Sequence, residues 1–367
     1  MRFRVTTCLA AMMFAVFSAN IGAAAQSPQD MLEQAVSQAA AATKAGAILD
    51  VQGCGISFLE ARGVANRKTK AAMPTGEQLR LASIGKLYTA AVIHELVAEG
   101  KLDLDAPATQ YLDDGTLDRV PNADASLRQM LNHTSGVPDY YDWRSYFFNN
   151  WKKPINADFA LKVAKRRKAT NAPGETYAYS NTNYQILALV AEEVTGTPFK
   201  TLTEQYALEP LALTDTRYNI AHSGGTIHGY GTELRKNADT WIYAENTGAD
   251  GGITATTVDL RAFLAANFLA GGEKAAIGQA MLSSQVQAES ARRKDGAGAE
   301  IYLGRDGLEL VGHTGDTMGY LSFAFAIPEY QATLIGHINA DRDDAFFTLL
   351  QETAAAVRAA CAPDEGE

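Results

Sequence analysis

Three short motifs carry residue types that can do chemistry together. In Ser83-Ile84-Gly85-Lys86 a hydroxyl and an amine stand three residues apart at the start of a helix predicted over 83–99. Both side chains then point the same way, one turn apart. A serine nucleophile needs a neighbouring base. A partly desolvated lysine near the positive end of a helix can have its pKa lowered enough to take the serine proton or to stabilise the alkoxide. In Tyr179-Ser180-Asn181, just ahead of a helix predicted over 185–194, a phenol beside a lysine can act first as general base and then as the acid that protonates a leaving group. The Asn181 amide can hold a substrate backbone. His313-Thr314-Gly315 follows a predicted strand over 308–312. There the strand edge can pair with an extended substrate, and the bare Cα of Gly315 lets that substrate's backbone come close. Each of the first two motifs is expected roughly half a time by chance in a chain of this composition, and all three in order roughly once in a hundred. His222-Ser223-Gly224 matches the third pattern but sits in a Gly-rich stretch without strand signals.

These residues must be positioned by a scaffold that the rest of the sequence outlines. Ser27-Pro28 with Asp30 marks a helix start, and 28–43 reads as an Ala-rich amphipathic helix. Segments 47–51 and 56–62 around the Gly53-Cys54-Gly55 turn read as a hairpin, and 301–305, 308–312, 319–327 and 331–338 as successive antiparallel strands before a final helix over 344–360. Strands at both ends with helices between them predict one antiparallel sheet assembled from the two termini, an α/β (α+β) architecture with a mostly helical subdomain beside it. The expected division is a single catalytic domain over 26–367, its α/β part about 26–95 plus 298–367 and its helical part about 96–297.

The chain has 367 residues, 32 Lys plus Arg and 42 Asp plus Glu, for a formal charge of −10. That balance speaks against a nucleic-acid partner. Arg2 and Arg4 followed by an uncharged, largely apolar stretch ending at Ala23-Ala24-Ala25 read as a cleaved signal peptide over 1–25, which implies a periplasmic or secreted protein without a stable membrane span. The alternative, an uncleaved membrane anchor, is weakened by Ser18, Asn20 and Gly22 at its far end. Cys8, Cys54 and Cys361 are the only cysteines, and none has a partner at zinc-ligand spacing.

Taken together, the Ser83–Lys86, Tyr179–Asn181 and His313–Gly315 motifs resemble those of the penicillin-recognising serine hydrolases, the β-lactamase-related family of D-alanyl-D-alanine carboxypeptidases, class C β-lactamases, D-aminopeptidases and related esterases. Flanking segments fit the resemblance: Leu102-Asp103-Leu104-Asp105, Leu131-Asn132-His133-Thr134-Ser135-Gly136, Pro173-Gly174, and Gly251-Gly252-Ile253 with Thr256 and Asp259. The resemblance implies a β-lactamase/transpeptidase-like fold and an acyl-enzyme mechanism without metal or organic cofactor. Ser83 would attack the carbonyl, Lys86 and Tyr179 would handle its proton, with Tyr179 the base for deacylation, and Asn181 would orient the substrate. Backbone N–H groups of Ser83 and Asp316 would form the oxyanion hole, and Thr314 would bind a substrate carboxylate or carbonyl. His313 stands where the family's β-lactamases carry lysine, which points to the carboxypeptidase and aminopeptidase branches acting on a cell-wall-derived peptide. A β-lactam or an ester remains open as substrate, as does a non-catalytic peptidoglycan-binding or penicillin-sensing role.

Residue 316 is small in the family, and Asp316 departs from that. Either the substrate is uncharged or cationic at that end, or Arg292, Arg293 or Arg305 neutralises the carboxylate, or the side chain faces solvent and only its N–H matters. In the family fold the last strand runs antiparallel to the first and the C-terminal helix returns over the sheet. The resemblance therefore implies a Cys54–Cys361 disulfide, with two free thiols as the alternative. His94, His133 and Glu175 receive no catalytic role, and Tyr140, Tyr141 and Trp143 read as packing more readily than recognition.

Overall fold

The computed structural model describes residues 26–112, 115–141, 155–218, 226–231, 238–240, 248–304 and 307–361. Residues 1–25, read above as a signal peptide, and Trp143, His222 and Arg305 lie outside the described residues. In chain order the strands are β1 (Gly46–Gly53), β2 (Ile56–Gly63), β3 (Leu79–Arg80), β4 (Arg217–Tyr218), β5 (Tyr230–Gly231), β6 (Ala238–Asp239), β7 (Ile253–Ala255), β8 (Val286–Gln287), β9 (Arg293–Asp295), β10 (Glu300–Leu303), β11 (Glu309–Thr317), β12 (Tyr320–Ile327) and β13 (Ala332–Ile338). Eight of them form one sheet in the order β2-β1-β13-β12-β11-β10-β9-β8. The two ends of the chain meet within the sheet, one strand in from the β2 edge, where β1 pairs antiparallel with β13 in the register Ala47 to Ile338.

Alternation along the strands assigns each face its cover. Ala47, Leu49 and Val51 of β1, with Phe323 and Phe325 of β12, pack with Leu32 and Val36 of the first helix and Phe346, Leu349 and Leu350 of the last. Ile48, Ala324 and Ala326 face the opposite core, which contains Leu87, Ile93 and Leu96 of the helix after Ser83. Each Leu, Ile, Val or Phe side chain among them taken fully from water contributes roughly 1.5–3 kcal/mol. Because both faces are covered, all eight residues of β12 are buried, and the strand reads as a continuous apolar run rather than an alternating one.

Local signals set the element ends. The first helix, Pro28–Thr43, opens with a capping box between Ser27 and Asp30, worth about 1 kcal/mol. Two boundaries differ from the sequence reading. The sheet extends upstream of residue 298 through β8 and β9, strands of two and three residues whose polar sequence carries no apolar alternation. The predicted strand over 308–312 runs on to Thr317, so His313 to Asp316 lie within β11 rather than beyond its end.

Cys54, in the β1–β2 turn, and Cys361, the last residue of the helix Asp343–Cys361, are joined as a disulfide with Cα atoms 5.2 Å apart. Tethering residues 307 apart in sequence removes chain entropy from the unfolded state worth up to about 5 kcal/mol. Cys361→Ser is expected to lower Tm by roughly 5–10 °C. Alkylating a chain that lacks residues 1–25 should add nothing before reduction and two labels after; two labels before reduction would contradict the pairing.

Candidate active site

Ser83 sits in a short turn, Ala82–Ile84, leading into the helix Gly85–Ala98. Ala82 adopts φ 47°, a left-handed conformation that costs an alanine energy and occurs at the residue before Ser83. The turn is pressed against β11: a Cβ at Gly315 would stand 2.1 Å from the Leu81 carbonyl oxygen. The missing side chain there makes room for the protein's own serine turn, whereas the sequence reading gave that space to a substrate backbone.

Lys86 is fully buried. Its Nζ donates to Ser83 Oγ at 3.0 Å, Asn181 Oδ1 at 2.7 Å and the Asp250 carbonyl at 2.8 Å, which uses all three ammonium protons. Gly85 permits this approach, since a Cβ there would lie 3.1 Å from Gly251 Cα. Burial lowers the Lys86 pKa to about 8, against the opposing pull of Asp250, Asp139 and Glu300. At pH 7 about a tenth of the molecules then carry a neutral amine beside the hydroxyl.

Tyr179 OH lies 3.0 Å from Ser83 Oγ. Burial holds this phenol well above its ordinary pKa, so it is protonated at neutral pH. It can pass a proton between Ser83 and a leaving group, but free phenolate is not on hand as the base for deacylation. His133 fixes the ring from behind, stacked at 4.2 Å between centroids. His133 Nδ1 accepts the Ser180 N–H at 3.1 Å, which leaves the ring's proton on Nε2.

Asn181 begins the helix Asn181–Thr195, four residues earlier than the periodicity indicated. Its backbone N–H donates to Asp139 Oδ1 at 3.0 Å and its Nδ2 to Asp139 Oδ2 at 3.1 Å. With a cation on Oδ1 and a carboxylate on Nδ2, the amide orientation is decided, and one N–H remains for a substrate. Burial raises Asp139 to about pKa 6. Asp250 takes protons on its side chain from Tyr140 OH at 2.7 Å and from Gln185 Nε2.

His313 is buried, and burial lowers its pKa to about 3, so the ring is neutral where the family's β-lactamases carry a cation. Its Nδ1 meets the Thr314 carbonyl at 2.5 Å and, since a carbonyl only accepts, carries the proton. Thr314 is bonded through both its N–H and its hydroxyl to Glu300, a residue without a sequence motif to mark it. The Thr314 N–H points toward β10, and alternation sends the Asp316 N–H to the same edge. Ser83 and Asp316 line one cleft with Tyr140, Asn181, Asp250 and Met318, the arrangement needed for two backbone donors to meet one oxyanion. The Asp316 side chain is exposed. Arg293 is committed elsewhere, to Asp295 and Glu300, and Arg292 lines a groove beside Leu350 and Gln351 of the last helix.

Among the described residues no cluster of His, Cys, Asp and Glu is arranged to hold a metal ion, and no helix is long and apolar enough to cross a membrane. The β-lactamase family model matches residues 32–358. The chain belongs to the β-lactamase family of serine hydrolases. Within it, a penicillin-binding protein of Bacillus subtilis is 26% identical over 322 residues, 81% of this chain and 68% of that protein. The D-aminopeptidase of Brucella ovis is 27% identical over 228 residues, 59% of this chain but only 41% of the relative. A D-stereospecific amidohydrolase from a Streptomyces species superposes with a TM-score of 0.76 at 24% identity, over 87% of this chain and 97% of that one, a likeness of fold. The family's antiparallel sheet flanked by helices is the fold described above. Asp139, Asp250 and Glu300 are the site residues that the sequence reading missed. The first two lie near the His133 and Gly251-Gly252 segments that carried the family resemblance.

Gly315→Ala is expected to displace the serine turn. Overpacking there costs about 1–3 kcal/mol, and misplacing a nucleophile by an ångström lowers acylation of Ser83 roughly 100-fold. A folded Gly315→Ala protein acylating at the wild-type rate would show that the contact does not position Ser83.

Proposed function

We propose that this β-lactamase-family protein is an exported hydrolase that cleaves amide bonds next to D-amino acids through an acyl-enzyme on Ser83. The observation that carries the reading is the placement of Lys86 Nζ and Tyr179 OH each 3.0 Å from the same Ser83 Oγ, a nucleophile held between a base and a proton relay. Neutral Lys86 takes the Ser83 proton as Oγ bonds to the substrate carbonyl carbon, while the N–H groups of Ser83 and Asp316 receive the oxyanion. The proton then passes through Tyr179 to the departing nitrogen, and the C–N bond breaks. Water adds to the ester carbonyl carbon while the Lys86–Tyr179 pair takes its proton. The bond between the acyl carbon and Ser83 Oγ breaks, and the proton passes to Oγ, which releases the acid and restores the hydroxyl.

The relatives named D-aminopeptidase and D-stereospecific amidohydrolase support a D-amino-acid substrate. Export is supported by the segment over 1–25 and by the Cys54–Cys361 disulfide, since such bonds persist in oxidising compartments. A binding or sensing role has no use for a lysine desolvated beside the serine, which favours the enzymatic reading over it.

The test is time-resolved intact mass with a penicillin, beside Ser83→Ala. A covalent adduct that forms on the wild type and never on the variant is expected. Folded protein that neither accumulates an adduct nor turns over penicillin or D-amino-acid amides would contradict the proposal.

A further inference from the structure

Counting protons at Thr314 gives the substrate cleft a polarity. Thr314 lies on β11 two residues before Asp316, which lines the cleft. The Thr314 N–H and hydroxyl emerge at the β10 edge of the strand, the edge toward which the Asp316 N–H also points. Both donors of Thr314 are already used. Its N–H lies 2.9 Å from Glu300 Oε2, and its hydroxyl lies 3.1 and 3.0 Å from the two Glu300 oxygens. A carboxylate only accepts and a hydroxyl has one proton, so that proton faces Glu300 and only lone pairs are left for a ligand. Glu300 is held in place: it is 2% exposed, with Arg293 3.3 Å and His313 3.5 Å from its Oε1. Arg293 is bound in turn by Asp295 and Tyr177, so its one guanidinium is shared between Glu300 and Asp295.

We propose that Glu300 makes the Thr314 end of the cleft a hydrogen-bond-accepting subsite, which takes an amide N–H or an ammonium and rejects a substrate carboxylate. The inference rests on the acyl-transfer reading above and narrows it. Release of a terminal D-amino acid with a free carboxylate is disfavoured, and a substrate ending there in a carboxamide or an amine is preferred. Glu300 is a specificity-determining residue that acts by positioning, because it reaches the substrate only through the hydroxyl it orients. An unpaired carboxylate brought against Thr314 would lose hydration and meet only lone pairs there.

The test uses a matched pair on the full chain, an N-acyl-D-Ala-D-Ala free acid and its C-terminal carboxamide. Wild type is expected to favour the carboxamide at least tenfold in kcat/KM, with the difference in KM. Glu300→Gln supplies an amide that can donate to Thr314 and turn its proton outward, and it also releases Arg293; the preference should fall at least tenfold. Thr314→Val, which leaves Glu300 and Arg293 paired, should cost the carboxamide about tenfold and the free acid nothing. Titrating the same pair onto Ser83→Ala reads the preference without turnover. Failure of wild type to turn over either peptide would count against the acyl-transfer reading alone. Equal or tighter binding of the free acid by Ser83→Ala, no binding of the carboxamide, or a preference unchanged in both other folded variants would overturn the role of Glu300.

Discussion

The burial of one ammonium group organises this protein. Lys86 has no exposed surface, and an isolated charge taken from water to that depth costs several kcal/mol unless hydrogen bonds replace the lost solvent. The three acceptors come from distant parts of the chain: the turn at Ser83, the start of the helix Asn181–Thr195, and the loop carrying Asp250. Each is fixed by its own packing. Gly315 lets the serine turn sit against β11, Asp139 holds Asn181, and Gly85 lets the loop close over the helix. The sheet built from both termini is the rigid floor on which β11 can hold the first of these.

The compensation is incomplete, and chemistry follows from the shortfall. Desolvation outweighs the attraction of Asp250, Asp139 and Glu300, so the amine loses its proton near pH 8. The same burial drives Tyr179 the other way, toward a phenol that keeps its proton. Two groups that differ little in ordinary pKa are thus pushed apart, which assigns the base to one and the relay to the other. His313 is neutral for the same reason, and it adds no positive charge to a cleft already edged by Asp316.

Much of this was legible in the sequence because the reacting residues lie in local motifs. Ser83 and Lys86 are one helical turn apart, and Tyr179 and Asn181 straddle a helix start, so spacing alone brings each pair to one face. The hairpin around Cys54 and the apolar strand Tyr320–Ile327 were equally plain. What spacing could not show were the partners that arrive from across the fold. Glu300 meets Thr314 because two strands pair with Glu300 opposite Gly312, and register is invisible in a single sequence. Asp139 and Asp250 are common residues in loop-like stretches, and their roles emerge only when Asn181 and Lys86 are placed between them. Gly315 was recognised as important, but sequence could not say that the close neighbour is Leu81. The strands β8 and β9 were missed because hydrogen bonds to the sheet edge hold them, without the apolar alternation that betrays a strand.

The central claim is that burial turns Lys86 into the base that activates Ser83. Its most direct measure is the single-turnover acylation rate of Ser83 as a function of pH, using a substrate without ionisable groups. The account predicts a rate that rises about tenfold per pH unit at low pH, bends at an apparent pKa of about 8 and is level above it. A rate independent of pH between about 6 and 9, or one still rising tenfold per unit beyond about pH 10, would show that the neutral amine of Lys86 is not the activating base.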